Sequence, residues 1–208
     1  MKKNNLFKAI LIVSLPVALV MISFKPSGTG YNVGDAVKDF NLKNVDGKNV
    51  SLAGLKNNKG AIVIFTCNHC PFSVAYEDRI IALHNKYAAQ GYPVVAINPN
   101  DDKKVPEDSF DNMVIRAKEK KFPFSYLQDP SQTTARNFGA ARTPHVYLLT
   151  KTGIDYKVAY IGAIDNNTDE PEAVTQKYVE SAMEEVIAGK PVTTNFTKAI
   201  GCTIKWKS

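Results

Sequence analysis

The sequence predicts an α/β domain, a central mixed β-sheet flanked by helices on both faces and preceded by a β-hairpin. Three observations carry that expectation. Ala61-Ile62-Val63-Ile64-Phe65 and Tyr92-Pro93-Val94-Val95-Ala96-Ile97 are short continuous apolar runs, the pattern of strands buried on both faces. Between them, from Pro71, the apolar residues fall on a helical period. Near the end of the chain, two further apolar stretches flank a Thr-Gly turn, as in an antiparallel pair. A sheet fed by both helical crossovers and hairpins is mixed, and its two faces need helices to cover them.

Taken in order, Lys2, Lys3 and Lys8 precede sixteen apolar or small residues from Ala9 to Phe24. A basic start followed by a short apolar run is the layout of an export signal. The run is shorter than the ~20 residues that comfortably span a bilayer, and Pro16 would kink a helix through it. Residues 1–25 are therefore expected to be a cleaved signal peptide or an uncleaved signal anchor, which would tether the protein to the membrane. Residues 26–30, with Ser27-Gly28-Thr29-Gly30, form a linker, and residues 31–208 one domain. Asp39 to Leu52 alternates apolar and polar residues around Asp46-Gly47, a hairpin signal. The strand at Ala61–Phe65 gives way to a helix from Pro71, carried by Val74, Ile81, Leu83, Tyr87 and Ala88 and closed by Gly91. After the second strand, Asp108 to Lys121 reads as a helix capped by Asp108 or Ser109, followed by a loop. Ala135 to Phe138 is a short helix ending at Gly139. His145–Leu149 and Tyr156–Tyr160 pair across the turn at Thr152-Gly153, and Pro171 opens a last helix through Ala188.

Composition removes several function classes. With 208 residues, 44% of them hydrophobic, the chain can bury a full core, and three cysteines are too few for a disulfide-stapled scaffold. The net charge of +6 invites a nucleic-acid reading. Four of the lysines, however, lie within residues 1–25, leaving 22 basic against 20 acidic residues in the body. A nearly neutral domain is a poor partner for nucleic acid. An export signal also places the domain in a periplasmic or cell-envelope compartment where disulfides persist.

The chemistry centres on Phe65-Thr66-Cys67-Asn68-His69-Cys70-Pro71, where the first central strand meets the helix. A cysteine at a helix N-terminus meets unpaired N–H groups and the positive end of the macrodipole, both of which favour a thiolate. Cys67 is assigned to that position, with a depressed pKa, as the attacking thiol. Cys70 lies one turn further on the same face and is the resolving thiol. Of the two residues between them, Asn68 and His69, an imidazolium at His69 stabilises the thiolate and makes the couple more oxidising.

The body from Tyr31 onward resembles the thioredoxin-like redoxins, the group that includes the alkyl-hydroperoxide-reductase/thiol-specific-antioxidant proteins and membrane-tethered thiol-disulfide oxidoreductases. The matching pieces begin with Val33-Gly34-Asp35, Asp39-Phe40, Leu42, Asp46-Gly47-Lys48 and Ser51-Leu52. They continue with Cys67-x-x-Cys70-Pro71, Asn98-Pro99-Asn100-Asp101, Asp129, Phe138-Gly139, Thr143-Pro144 and Thr152-Gly153. The resemblance implies a thioredoxin-like fold and a cis Thr143–Pro144 bond beside the cysteines. It also implies that the backbone before Pro144 pairs with substrate, so Thr143, Pro144 and Thr66 form the substrate surface. Thr66 stands where thioredoxins carry tryptophan, and Ala61 where they carry a buried acid that assists the resolving cysteine.

The expected function is an exported thiol-disulfide oxidoreductase exchanging with protein thiols and an electron-exchange partner, without cofactor or metal. The alternative is a thiol-dependent peroxidase with antioxidant activity. The peroxiredoxin pattern P-x-x-x-[ST]-x-x-C is missing at Cys67, where Gly60 and Ile64 occupy the key positions, and at Cys70, where Val63 and Cys67 do. A copper- or zinc-binding module built on Cys67, Cys70, Cys202 and His69 is a third reading, weakened by the lack of a second paired-cysteine motif. Cys202 itself reads as a buried free thiol packed by Ile204 and Trp206, or as a second resolving thiol or an intermolecular partner. His84 and His145 read as packing or surface residues. Asp101-Asp102 and Glu107-Asp108 read as a solvated loop.

Overall fold

A computed structural model describes residues 30–208. The leader expected over residues 1–25, and the linker apart from Gly30, lie outside the described residues. In chain order the elements are β1 (Ala36–Val37), β2 (Asn41–Asn44), β3 (Asn49–Ser51), β4 (Gly60–Phe65), α1 (Pro71–Tyr87), β5 (Val94–Asn98) and α2 (Phe110–Glu119). They continue with β6 (Ser125–Gln128), α3 (Thr133–Phe138), β7 (Arg142–Thr143), β8 (His145–Thr152), β9 (Asp155–Gly162), α4 (Tyr178–Ile187) and β10 (Cys202–Thr203).

Eight strands form one mixed sheet in the order β1-β9-β8-β4-β5-β6-β2-β3. β4 and β5 run parallel, as do β5 and β6, while β8 lies antiparallel to β4 and to β9. The hairpin is present, with Leu42 opposite Val50. Every residue of β4 and β5 is buried, which is why neither strand alternates in polarity. On one face Ile62, Ile64, Val94 and Ala96 pack against Tyr76, Ile80 and Leu83 of α1, Met113 of α2, and Val179 and Met183 of α4. On the other, Val63, Phe65, Val95 and Ile97 meet Phe138 of α3, Tyr147 and Ile204. Fully burying each large aliphatic chain contributes roughly 1.5–3 kcal/mol, so β4 and β5 anchor the fold. The architecture is thioredoxin-like: a mixed sheet with helices on both faces.

Several expectations need correction. Residues 125–128 form β6 rather than loop; only Tyr126 and Leu127 are apolar there, and they point to opposite cores. Two residues are too short a run to register as a period. The last helix does not start at Pro171, which opens only a 3-10 turn to Ala173. Val174 is extended, and the Asn166 side chain accepts hydrogen bonds from the N–H groups of Thr175 and Gln176, so the helix begins at Tyr178. Helix α2 starts at Phe110 with Ser109, one of the two expected caps, in the N-cap position, while the Asp108 carboxylate turns toward residues 68–69. The acidic loop is only partly solvated: Glu107 is exposed and Asp102 partly so, but Asp101 and Asp108 are buried.

Candidate active site

The reactive loop lies where β4 ends, next to the end of its parallel neighbour β5. Helix α1 begins at Pro71, with Cys70 as its N-cap residue. The Cys-x-x-Cys spacing predicts Cys67 at the helix N-terminus, but Cys67 precedes the helix by a full turn and Cys70 takes that position. Asn68 and His69 fill the intervening bend with side chains directed to the β5–α2 connection. Asn68 donates from its side chain to the Glu107 carbonyl (2.9 Å) and accepts from the Tyr126 hydroxyl (2.8 Å).

Asp108 organises this loop. Its Oδ1 accepts the backbone N–H of Asn68 (2.7 Å) and of His69 (3.3 Å). Its Oδ2 lies 2.5 Å from His69 Nδ1 and accepts from the Asn100 side-chain amide at 2.7 Å. Asn100 in turn accepts the backbone N–H of Lys205, tying the C-terminal segment to the same carboxylate (2.8 Å).

Thr143 faces both cysteines from the other side. The Thr143–Pro144 peptide is cis, the geometry implied by the resemblance. Thr143 Oγ1 is 3.3 Å from Cys67 Sγ, and its carbonyl oxygen is 3.2 Å from Cys70 Sγ. Ser73 Oγ lies 3.8 Å from Cys67 Sγ. Thr66 is buried, and its N–H donates to the Ile97 carbonyl. Thr66, Cys67, Asn68, His69, Cys70, Thr143 and Pro144 thus occupy one region of the molecule.

Cys70 is bonded to Cys202, 132 residues away in the chain, and Cys67 carries a free thiol. Cys202 is thus not the buried free thiol that its sequence context suggests. It arrives on β10, which pairs antiparallel with β7 so that Cys202 lies opposite Thr143.

The electrostatics of Cys67 run opposite to the sequence expectation. Burial raises its pKa, and the charge of Asp108 raises it further. The Thr143 hydroxyl, the Cys70 backbone N–H and the Ser73 hydroxyl act in the other direction but do not prevail. Cys67 is only 3% exposed, so desolvation of a thiolate there outweighs three hydrogen bonds. Where thioredoxins bury an acid, Ala61 sits in β4 with no ionisable group. Glu77 does line a small cavity of about 10 Å³ with Thr66 and Cys67. Both its oxygens, however, accept from Arg116 at 2.7 Å, so it is held as an ion-pair partner rather than a free base.

Cys67, His69 and Asp108 bring ligand atoms within 4.8 Å of one another. Both Asp108 oxygens already accept two contacts each, which a cation would have to displace. That arrangement suits the positioning of a thiol and an imidazole better than metal coordination.

Asp108, Asn100 and Tyr126 were not foreseen as site residues. A signal for Asn100 existed. In parallel α/β sheets, the residues following adjacent strands crowd together at their carboxyl ends. The Asn98-Pro99-Asn100-Asp101 stretch after β5 therefore had to lie beside Thr66–Cys70.

The fold and this cluster define a thioredoxin-like thiol redox protein. The AhpC/TSA family model matches residues 33–161, more than half of the chain, and the chain belongs to that family. It is similar to an uncharacterized conserved protein from Geobacillus kaustophilus, at 36% identity and a TM-score of 0.78, covering 85% of this chain and 93% of that one. A hypothetical protein from Sinorhizobium meliloti is 33% identical with a TM-score of 0.79, covering 86% and 97%. A thiol:disulfide interchange protein of the thioredoxin family from Chlorobium tepidum shares the fold at 19% identity and a TM-score of 0.52, covering 64% and 87%. A search of curated proteins finds no match.

Proposed function

We propose that the protein is an exported thiol-disulfide oxidoreductase acting on protein thiols and disulfides, with Cys67 attacking and Cys70 resolving. The observation that carries this reading is the approach of both sulfurs to Thr143, the residue before cis-Pro144. In the reducing direction the Cys67 thiolate attacks a substrate disulfide sulfur, and one substrate thiolate leaves. The Cys70 thiolate then attacks Cys67 Sγ, which releases the second substrate thiolate and leaves a Cys67–Cys70 disulfide. The substrate gains two electrons and the pair of cysteines loses them; the reverse sequence oxidises a dithiol. Asn68 and His69 tune the couple through Asp108, while Thr66, Thr143 and Pro144 form the substrate surface. Export rests on the basic and apolar pattern of residues 1–25.

The deciding experiment measures dithiol-linked reduction of insulin against consumption of hydrogen peroxide, for the wild type, Cys67→Ser and Cys70→Ser. Insulin turnover that is lost in both variants is expected. Peroxide consumption with a sulfenic acid at Cys67, and no insulin turnover, would instead assign the peroxidase activity that the family name suggests.

A further inference from the structure

The C-terminal segment is built into the thiol site. Gly201 precedes Cys202, and a Cβ there would fall 2.2 Å from the Thr143 carbonyl oxygen. Only glycine permits so close an approach. Downstream, Ile204 is buried and Lys205 N–H donates to Asn100 Oδ1. The Lys205 carbonyl accepts from Asp101 N–H (2.9 Å) and from the Gln132 side chain (2.9 Å), and Lys207 N–H donates to Gln132 Oε1 (2.7 Å). Gln132 is itself buried with a positive φ of 59°. This is a costly backbone for a residue other than glycine, and it aims the side chain at the tail. Of the three cysteines, Cys67 and Cys70 are buried and Cys202 is partly exposed.

We propose that Cys202 is a third redox thiol and that Cys70 is the shared sulfur, bonded alternately to Cys67 and to Cys202. The proposal rests on the dithiol reading above. Once substrate reduction has produced the Cys67–Cys70 disulfide, the Cys202 thiolate attacks Cys70 Sγ. The Cys70–Cys202 bond forms, the Cys67–Cys70 bond breaks, and the electron pair leaves on Cys67 Sγ, which takes up a proton from water. One disulfide replaces another, so no electrons enter or leave the chain. The bond now ends at a partly exposed sulfur, where an external dithiol can attack it. Two exchanges then return Cys70 and Cys202 to thiols and convert that dithiol to a disulfide.

The test equilibrates the full chain in dithiothreitol buffers of stepped potential, quenches in acid, alkylates, and maps the disulfides by mass spectrometry. Insulin turnover driven by the same dithiol is measured in parallel. Expected in the wild type are both Cys67–Cys70 and Cys70–Cys202 linked peptides, their ratio changing with potential. In Cys202→Ser only the first remains, and turnover falls about tenfold as the positioned third thiol is lost. Gly201→Val keeps all three thiols but pushes β10 off Thr143, and should mimic Cys202→Ser. A Cys70–Cys202 bond that persists at every potential where Cys67 titrates would make it a structural cross-link and overturn the relay. Wild-type turnover in Cys202→Ser would overturn it as well. If Cys67→Ser and Cys70→Ser nonetheless lose turnover, the dithiol reading stands without the relay; if they also turn over normally, the dithiol reading itself fails.

Discussion

The Asp108 carboxylate sits 2.5 Å from His69 Nδ1, fully buried behind a histidine that is one-quarter exposed. It is also the charge that raises the Cys67 pKa after burial itself. Two like charges disfavour each other at short range, so the thiolate of Cys67 forms against the field of Asp108. Asp108→Asn removes that charge and leaves an acceptor for the loop N–H groups. The Cys67 pKa is expected to fall, and iodoacetamide alkylation at neutral pH to accelerate severalfold. The measurement belongs in a Cys70→Ser/Cys202→Ser background where Cys67 is the only thiol. Slower alkylation would mean that Asp108 acts chiefly by holding the His69 ring beside the thiol.

Thr143 supplies the opposing influence. Its hydroxyl, 3.3 Å from Cys67 Sγ, is the largest contribution that lowers the pKa of that thiol. Thr143→Val preserves shape and removes the donor. A hydrogen bond to a charged group contributes roughly 1.5–3 kcal/mol. In the same single-thiol background the pH profile of alkylation should therefore move to higher pH, with neutral-pH reactivity down about tenfold. An unmoved profile would assign Thr143 a purely steric role.

How far the sequence reveals this site depends on the range of the interactions involved. The central strands were legible because Ala61–Phe65 and Val94–Ile97 are apolar on both faces. Helix α1 was legible from its period and from Gly91, whose φ of 93° ends the helical run in the left-handed region. The cysteine motif and the cis-proline position were local patterns. The sign of the Cys67 pKa shift was not legible. Spacing alone put Cys67 at a helix end, whereas the chain bends first and gives that position to Cys70. Burial and a carboxylate from residue 108 then decide the outcome, and both arise from tertiary packing. The bond from Cys70 to Cys202 likewise depends on strand pairing between residues about sixty apart, which no local period encodes.

Glu77 of α1 accepts two bonds from Arg116 of α2 and has a second cationic neighbour, Lys120, at 3.4 Å. Glu77 is buried and Arg116 one-quarter exposed, so the consequences of losing either partner differ. Arg116→Ala strands a carboxylate in a nearly water-free place, with Lys120 as its remaining partner. Breaking a buried pair this way costs about 3–5 kcal/mol, and the exposure of Arg116 together with Lys120 should hold the loss to about 2 kcal/mol. Glu77→Gln leaves an arginine that can turn to water, and should cost less. Urea unfolding of the two variants measures the asymmetry. Because Glu77 shares a small cavity with Cys67, Arg116→Ala should also slow alkylation of that thiol. Equal stabilities would remove the argument.

His145 begins β8 directly after cis-Pro144, and burial pushes its pKa down to about 4. It stacks obliquely on Tyr147 and accepts a long contact from Ala141 N–H through Nδ1, so the neutral ring is the form that fits. Arg142 and Lys198 line the same groove. In the unfolded chain the ring titrates near its ordinary value of about 6.5. A depressed folded pKa means that the unfolded state binds the proton first as pH falls. The contribution of His145 to stability is therefore complete above about pH 6.5 and declines steadily toward pH 4. Over that window the loss approaches 3 kcal/mol, at about 1.4 kcal/mol per pH unit. His145→Gln keeps a polar side chain that does not titrate. Its stability should show a shallower fall between pH 6.5 and 4 than the wild type, whatever its stability at neutral pH. Denaturant midpoints taken across that interval give the two slopes; identical slopes would place the acid sensitivity of the fold elsewhere.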